Sequence, residues 1–185
     1  MSLKLVSLAS GSKGNSTLIL SNSTAILVDA GVSYTRIASE LVPFGLKPSD
    51  IDGVVVTHEH SDHIKGLDVW CKHWHGPLFA SRGTLAAKEK LAHLPIEEFD
   101  PGDVLEIAGA RVQTYSTSHD VINPVGYRFD ALGDSIGFAT DTGELSSNAI
   151  GTLKDCRVLA LESNHDVAML RQGDYTRFLQ ERILS

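Results

Sequence analysis

No apolar run in the 185 residues approaches the roughly 20 that a membrane-spanning helix needs. Met1-Ser2-Leu3-Lys4 leads straight into a short strand-like run and lacks the apolar core of a signal peptide. A cytoplasmic protein with no membrane partner is expected. Cysteine is scarce too: Cys71 and Cys156 are the two present, each in an apolar stretch. They make no disulfide framework and read as reduced thiols of the core. Positive charge is in deficit, with 16 Lys and Arg against 23 Asp and Glu, for a net −7. A nucleic-acid binder usually carries a basic face, so this balance argues against a large polyanion partner. It does not exclude one, because bound dications reverse the local field at an acidic site. There is no repeat, low-complexity tract or linker. What remains is a chain of one-domain size with 42% hydrophobic residues, enough for a sizeable core.

The hydrophobic pattern predicts short strands alternating with amphipathic helices, an α/β (α+β) layered fold. Leu3–Leu8, Thr17–Leu20 and Ala25–Val28 read as strands, the first two separated by the turn-rich loop Ser10–Asn15. Ser33 is a candidate N-cap for a helix carrying Tyr34, Ile37, Ala38, Leu41 and Val42 at helical spacing, closed by Pro43 and Gly45. Val54-Val55-Val56 is a strand buried on both faces. A helix with Ile64, Leu67, Cys71 and Trp74 on one face follows. Leu78–Ala80 is a short strand, and the Leu85–Leu94 region reads as helical. Val104–Ile107, Val112–Tyr115, Val125–Phe129, Ile136–Ala139 and Val158–Leu161 read as strands, and Arg171–Leu184 as a helix.

Four of these strands end directly in residues of metal-binding type. Val54–Val56 runs into His58-Glu59-His60-Ser61-Asp62-His63. Val112–Tyr115 runs into Ser118-His119-Asp120, Ile136–Ala139 into Thr140-Asp141, and Val158–Leu161 into Glu162-Ser163-Asn164-His165. In layered α/β proteins, sites gather where loops leave strand ends. His58 and His60 flank one residue, so in a loop both imidazoles can reach one dication at about 2.0–2.1 Å. Asp62 and His63 then point elsewhere on the same turn and can serve a second. Two cations about 3.5–4 Å apart form a clamp for hydrolysis. Histidine and carboxylate donors without cysteine suit Zn, Mn or Fe.

The run Thr57–His63 with Gly66 resembles the His-x-His-x-Asp-His signature of the metallo-β-lactamase superfamily. Asp29-Ala30-Gly31 resembles its Asp-x-Gly, His119 its third histidine and Asp141 its bridging aspartate. The opening Ser7–Ser16 and the later Leu161–Asp166 are similar to the YycJ/WalJ-like branch. The resemblance implies a four-layer αβ/βα sandwich with two divalent metal ions at one edge. Their ligands would be His58, His60, Asp62, His63, His119 and Asp141. It also implies a phosphodiesterase or exonuclease acting on DNA through a metal-activated hydroxide. Asp62, Glu162 and His165 are the candidate catalytic groups, with support of a ligand histidine as the other reading for the last two. Ser12 and Asn15, in the Gly/Ser loop, are candidate substrate contacts, since such a loop can cradle phosphate with its backbone N–H groups.

One landmark of the family is missing. Its last metal histidine lies in a Gly-His-Leu-Ser type segment, soon after a run resembling Arg182-Ile183-Leu184-Ser185, and the sequence holds no later histidine. The expectation is a single domain, 1–185, whose second half-domain lacks the final strand and helix. Its second cation would be weakly held or absent, with His165 a candidate substitute, and the open edge would favour a homodimer. Two other functions stay open: hydrolysis of a small ester, thioester or lactam, and a catalytically impaired accessory module.

Overall fold

The computed structural model describes residues 2–162, 167–177 and 180. Its strands form two sheets. The first runs in sequence order: β1 (Lys4–Ala9), β2 (Ser16–Leu20), β3 (Ala25–Val28), β4 (Gly53–Val55), β5 (Leu78–Ser81) and β6 (Ile96–Phe99). β1 to β3 pair antiparallel and β3 to β6 parallel. The second sheet holds β7 (Val104–Ile107), β8 (Ala110–Ser116), β9 (Val125–Ala131), β10 (Asp134–Ala139) and β11 (Val158–Leu161). The first four pair antiparallel, and β11 lies parallel to β10.

Alternation along the strands builds the layers, because successive side chains leave a strand on opposite faces. Leu27, Val54 and Leu78 face one way, onto Ile37 and Leu41 of α1 (Tyr34–Leu41) and Leu67 and Trp70 of α3 (Leu67–His73). Their neighbours Ile26, Val28, Val55 and Phe79 face the other way. There they meet Val112, Tyr127, Phe129 and Ile136 of the second sheet. The outer face of that sheet packs Tyr115 and Ala139 against Ala149 and Leu153 of α5 (Ser147–Leu153). The order is helices, sheet, sheet, helix, the expected four-layer sandwich. Burying each of the larger side chains stabilises the fold by about 1.5–3 kcal/mol.

The inter-sheet layer also fixes the place of the site. Tyr127 Oη donates to the carbonyl of Val56 at 2.5 Å, and Val125 N donates to that of Thr57 at 3.0 Å. The second sheet therefore holds the end of β4 where the His58–His63 loop begins.

Most expected elements are present, with four differences. The helix after the histidine run is split into α2 (Ser61–Ile64) and α3, because Gly66 makes a close backbone approach. A Cβ there would lie 2.1 Å from the Val32 carbonyl oxygen. The 85–94 helix is instead α4 (Arg82–Ala87), capped by Ser81, then a 3₁₀ turn at Glu89–Leu91. Lys88 breaks it with an extended φ of −132°. The helix expected over 171–184 is interrupted: α6 (Val167–Gln172) ends before a bend at Gly173 and Asp174. Arg177 and Gln180 are again helical, with Gln180 N donating to the Thr176 carbonyl at 3.0 Å, and the rest of that span lies outside the described residues. Strand β6 and helix α5 were not expected. Cys71 and Cys156 are free and half-buried rather than deep in the core. Among the described residues no helix is long and apolar enough to cross a membrane.

Candidate metal centre

The strand-end loops converge. Val54, Val55 and Val56 are fully buried, and the chain then turns through Thr57–His63 at the edge of the sandwich. Asp62 and His63 sit on the short α2, after His60 in extended conformation. His119 follows β8. Asp141 follows β10 with a left-handed φ of 51°, a conformation that aspartate tolerates better than most residues. The site loops are stacked with no room to spare. A Cβ on Gly31 would lie 1.6 Å from the Asp62 carbonyl oxygen, and Asn15 N donates to that same oxygen at 2.7 Å.

Among the described residues two groups of donor atoms result, His58 with His60 and His119, and His58 with His63 and Asp141. In the first, His60 Nδ1 lies 3.0 Å from His58 Nε2 and 3.1 Å from His119 Nε2. Donors on a tetrahedron of 2.0–2.1 Å bonds are about 3.3 Å apart, so this group fits a divalent cation with little movement. In the second, His63 Nε2 lies 3.3 Å from Asp141 Oδ2 and 3.5 Å from Asp62 Oδ2. All six expected ligand residues are thus brought together.

Hydrogen bonding decides which nitrogen of each ring faces the cluster. Asp29 is 2% exposed. Its Oδ1 accepts from Thr57 N at 2.8 Å; its Oδ2 accepts from Thr57 Oγ1 at 2.8 Å and from His63 Nδ1 at 2.8 Å. The Thr57 hydroxyl, having donated to Asp29, accepts from His58 Nδ1 at 2.9 Å. His58 therefore carries its proton on Nδ1, and so does His63 whenever it is neutral, as a metal ligand must be; each Nε2 then faces the donor groups. A carboxylate behind a histidine in this way fixes its tautomer and raises its basicity.

Charge follows the same geometry. Burial, helped by the neighbouring rings of His63, His119 and His60, pushes His58 down to about 2 and keeps it neutral. His119 is also lowered, again chiefly by burial. For His63 burial pulls down, but Asp29, then Asp141 and Asp62, outweigh it and raise the ring to about 9.

These two shifts predict the pH profile of the chain stripped of cations by a chelator. Below the ordinary histidine value of 6.5, the unfolded chain protonates His58 and the folded chain does not, so stability falls toward acid. Above 6.5 the unfolded chain loses the His63 proton that the folded chain keeps to about 9, so stability also declines through that window. The melting temperature is expected to peak near neutrality. A flat profile from pH 6.5 to 9 in thermal unfolding would count against the His63–Asp29 pair.

The remaining expected residues fall in different places. The Asn15 amide turns inward: Nδ2 donates to Asp62 Oδ2 at 3.1 Å and lies 3.1 Å from His63 Nε2, while Oδ1 accepts from Gly11 N. Ser12 is exposed at the loop tip. Glu162 Oε2 accepts from Thr142 N at 3.1 Å, which steadies the loop carrying Asp141. His165 lies outside the described residues. Asp120, given no role by sequence, places Oδ1 3.4 Å from His119 Nε2 and 3.6 Å from His60 Nε2. Its position directly after a strand-end histidine was the available signal. His73 packs on the Tyr34 ring, and exposed His93 pairs with Asp68.

Two facing sheets between helices, with histidines and aspartates gathered at the strand ends, define a metallo-β-lactamase-fold protein suited to divalent cations. The beta-lactamase superfamily domain matches residues 24–176. The chain belongs to that superfamily, as a YycJ/WalJ-like member and a metal-dependent hydrolase. It is 38% identical to exodeoxyribonuclease YycJ of Bacillus anthracis, over all of this chain and 72% of the relative. It is 36% identical to exodeoxyribonuclease WalJ of Streptococcus pneumoniae, over 96% of this chain and 68% of the relative. In fold it resembles Zn(2+)-bound PqqB from Methylobacterium extorquens, with a TM-score of 0.74 at 16% identity over 93% of this chain and 77% of that one.

Proposed function

We propose that the chain hydrolyses phosphodiesters of DNA from an end, with divalent cations held by six side chains. The observation that carries this reading is the pair of donor groups sharing His58, in a chain similar over its length to two exodeoxyribonucleases. His58, His60 and His119 would hold the first cation, and His63, Asp141 and Asp62 would serve the second. Zn or Mn suits these donors. When bound, such cations lower the pKa of water and neutralise charge on phosphate oxygens.

The chain's own groups supply orientation. Asp29 and Thr57 set both ring tautomers. Asn15 holds the Asp62 carboxylate, and Glu162 holds the Asp141 loop. Asp120 and the Ser12 loop are exposed, and Lys65 Nζ donates to the Lys13 carbonyl of that loop. Ser12 and the two lysines are the side chains we assign to a phosphate backbone, while cations would offset the chain's net charge of −7.

The test is digestion of end-labelled DNA by the purified chain, with and without added Zn or Mn. Mononucleotide release that a chelator stops and added cation restores is the expected result. Faster turnover of a small ester, thioester or lactam would replace the DNA reading. Bound cation without hydrolysis of any of these would favour an accessory module.

A further inference from the structure

Glu59 lies between the first two histidines yet points away from them, and at 7% exposure it is a buried carboxylate with no part in the chemistry above. Its Oε1 accepts from Ile122 N at 3.3 Å and its Oε2 from Thr84 Oγ1 at 3.4 Å. One side chain thus joins three segments: the His58–His63 loop, the first turn of α4, and the 117–124 loop that carries His119 and Asp120.

The first turn of α4 clamps the same loop independently. The Ser81 hydroxyl donates to the Asn123 carbonyl at 2.8 Å, accepts from Thr84 N at 3.2 Å and lies 3.1 Å from the Thr84 hydroxyl, which itself donates to Glu59. Gly83 lets the loop approach: a Cβ there would lie 2.6 Å from both Ile122 O and Asn123 Cβ. Asn123 takes the left-handed φ of 53° that the contact demands.

We propose that Glu59, backed by Ser81, Gly83 and Thr84, is a positioning residue that sets how far His119 stands from His58 and His60. The inference rests on the reading of those three histidines as ligands of the first cation. Loss of the clamp moves one donor of three, and displacing the groups that orient metal ligands commonly weakens metal binding about 10- to 100-fold.

Zinc affinity is measured by competition with a chromophoric chelator, on wild type, Glu59→Gln, Glu59→Ala and Gly83→Ala, with melting temperatures of the same proteins in excess chelator. Glutamine keeps the shape: its amide oxygen accepts from Ile122 N and its amide nitrogen faces a hydroxyl able to accept. Glu59→Gln is therefore expected to bind zinc within about threefold of wild type, and the two other variants at least about tenfold more weakly. Gly83→Ala pushes the loop without touching Glu59, so it carries the test if Glu59→Ala fails to fold. Wild-type affinity in Glu59→Ala and Gly83→Ala, with lowered melting alone, would overturn the proposal. So would a Glu59→Gln loss as large as that of alanine, since charge rather than hydrogen bonding would then be acting. Absence of zinc binding in wild type itself would instead overturn the ligand reading on which the inference stands.

Discussion

His58→Ala is expected to lose nearly all bound transition metal and at least about a thousandfold in DNA hydrolysis. His58 belongs to both donor groups, so no other single change removes a donor from each. The cation's stabilisation of developing charge amounts to several kcal/mol, and about 4 kcal/mol corresponds to a factor of about a thousand in rate. The fold should survive. His58 is buried and neutral, and among the described residues its ring's one hydrogen bond outside the cluster is to the Thr57 hydroxyl. Truncating it costs stability of the order of 1–3 kcal/mol, and it removes a ring that acid would otherwise charge. Elemental analysis of wild type and variant, with circular dichroism to confirm folding, decides the matter. Stoichiometric Zn or Mn that is unchanged in the variant would mean the cation sits elsewhere. A clean loss of metal with full hydrolysis would mean the chemistry does.

The features legible in the sequence share a physical cause: they repeat at the period of the backbone, or they crowd in one stretch. Val54–Val56 could be read as a doubly buried strand because three β-branched residues in a row fit neither half-exposed strand nor exposed helix. His58–His63 was legible because four metal-type residues in six positions are hard to explain as a solvated turn. Strand β6 escaped because Ile96-Glu97-Glu98-Phe99 carries two exposed carboxylates at the rim of the first sheet, where burial no longer writes an alternation. Helix α5 escaped because its apolar contacts are few and Gly151 interrupts it. The groups that aim the histidines were the least legible. Asn15 reaches Asp62 across 47 residues and Glu59 reaches Ile122 across 63, and no local pattern reports a contact of that range. Asn15 on a Gly/Ser loop looked like a hand for phosphate; in the fold its amide is already engaged with the site's own side chains.

Asp29 shows how much can depend on such a contact, and Asp29→Asn is expected to be the most disruptive conservative substitution in the molecule. The carboxylate accepts three hydrogen bonds and donates none. An asparagine oxygen can still accept from Thr57 N, but its amide nitrogen then stands where Oδ2 met the Thr57 hydroxyl and His63 Nδ1. Both partners are turned into acceptors. A neutral His63 is then left with its proton on Nε2, the nitrogen facing Asp141 and Asp62, and Thr57 no longer has its hydroxyl aligned to receive the His58 proton. A single oxygen-to-nitrogen change thus reverses the tautomer in one donor group and loosens it in the other. Metal affinity should fall by about 100-fold or more, beyond the upper end usual for an orienting partner, because both groups are struck at once. Asp29→Ala is the contrasting case. It leaves the His63 charge buried without its main partner, and breaking such a pair costs about 3–5 kcal/mol. The metal-free alanine variant should therefore melt far below wild type, while the asparagine variant keeps more of the fold yet binds little metal. Isothermal titration with zinc alongside thermal unfolding separates the two. Near-wild-type zinc affinity in Asp29→Asn would mean that the rings find their tautomers without Asp29, and the orienting role drawn from its three bonds would be wrong.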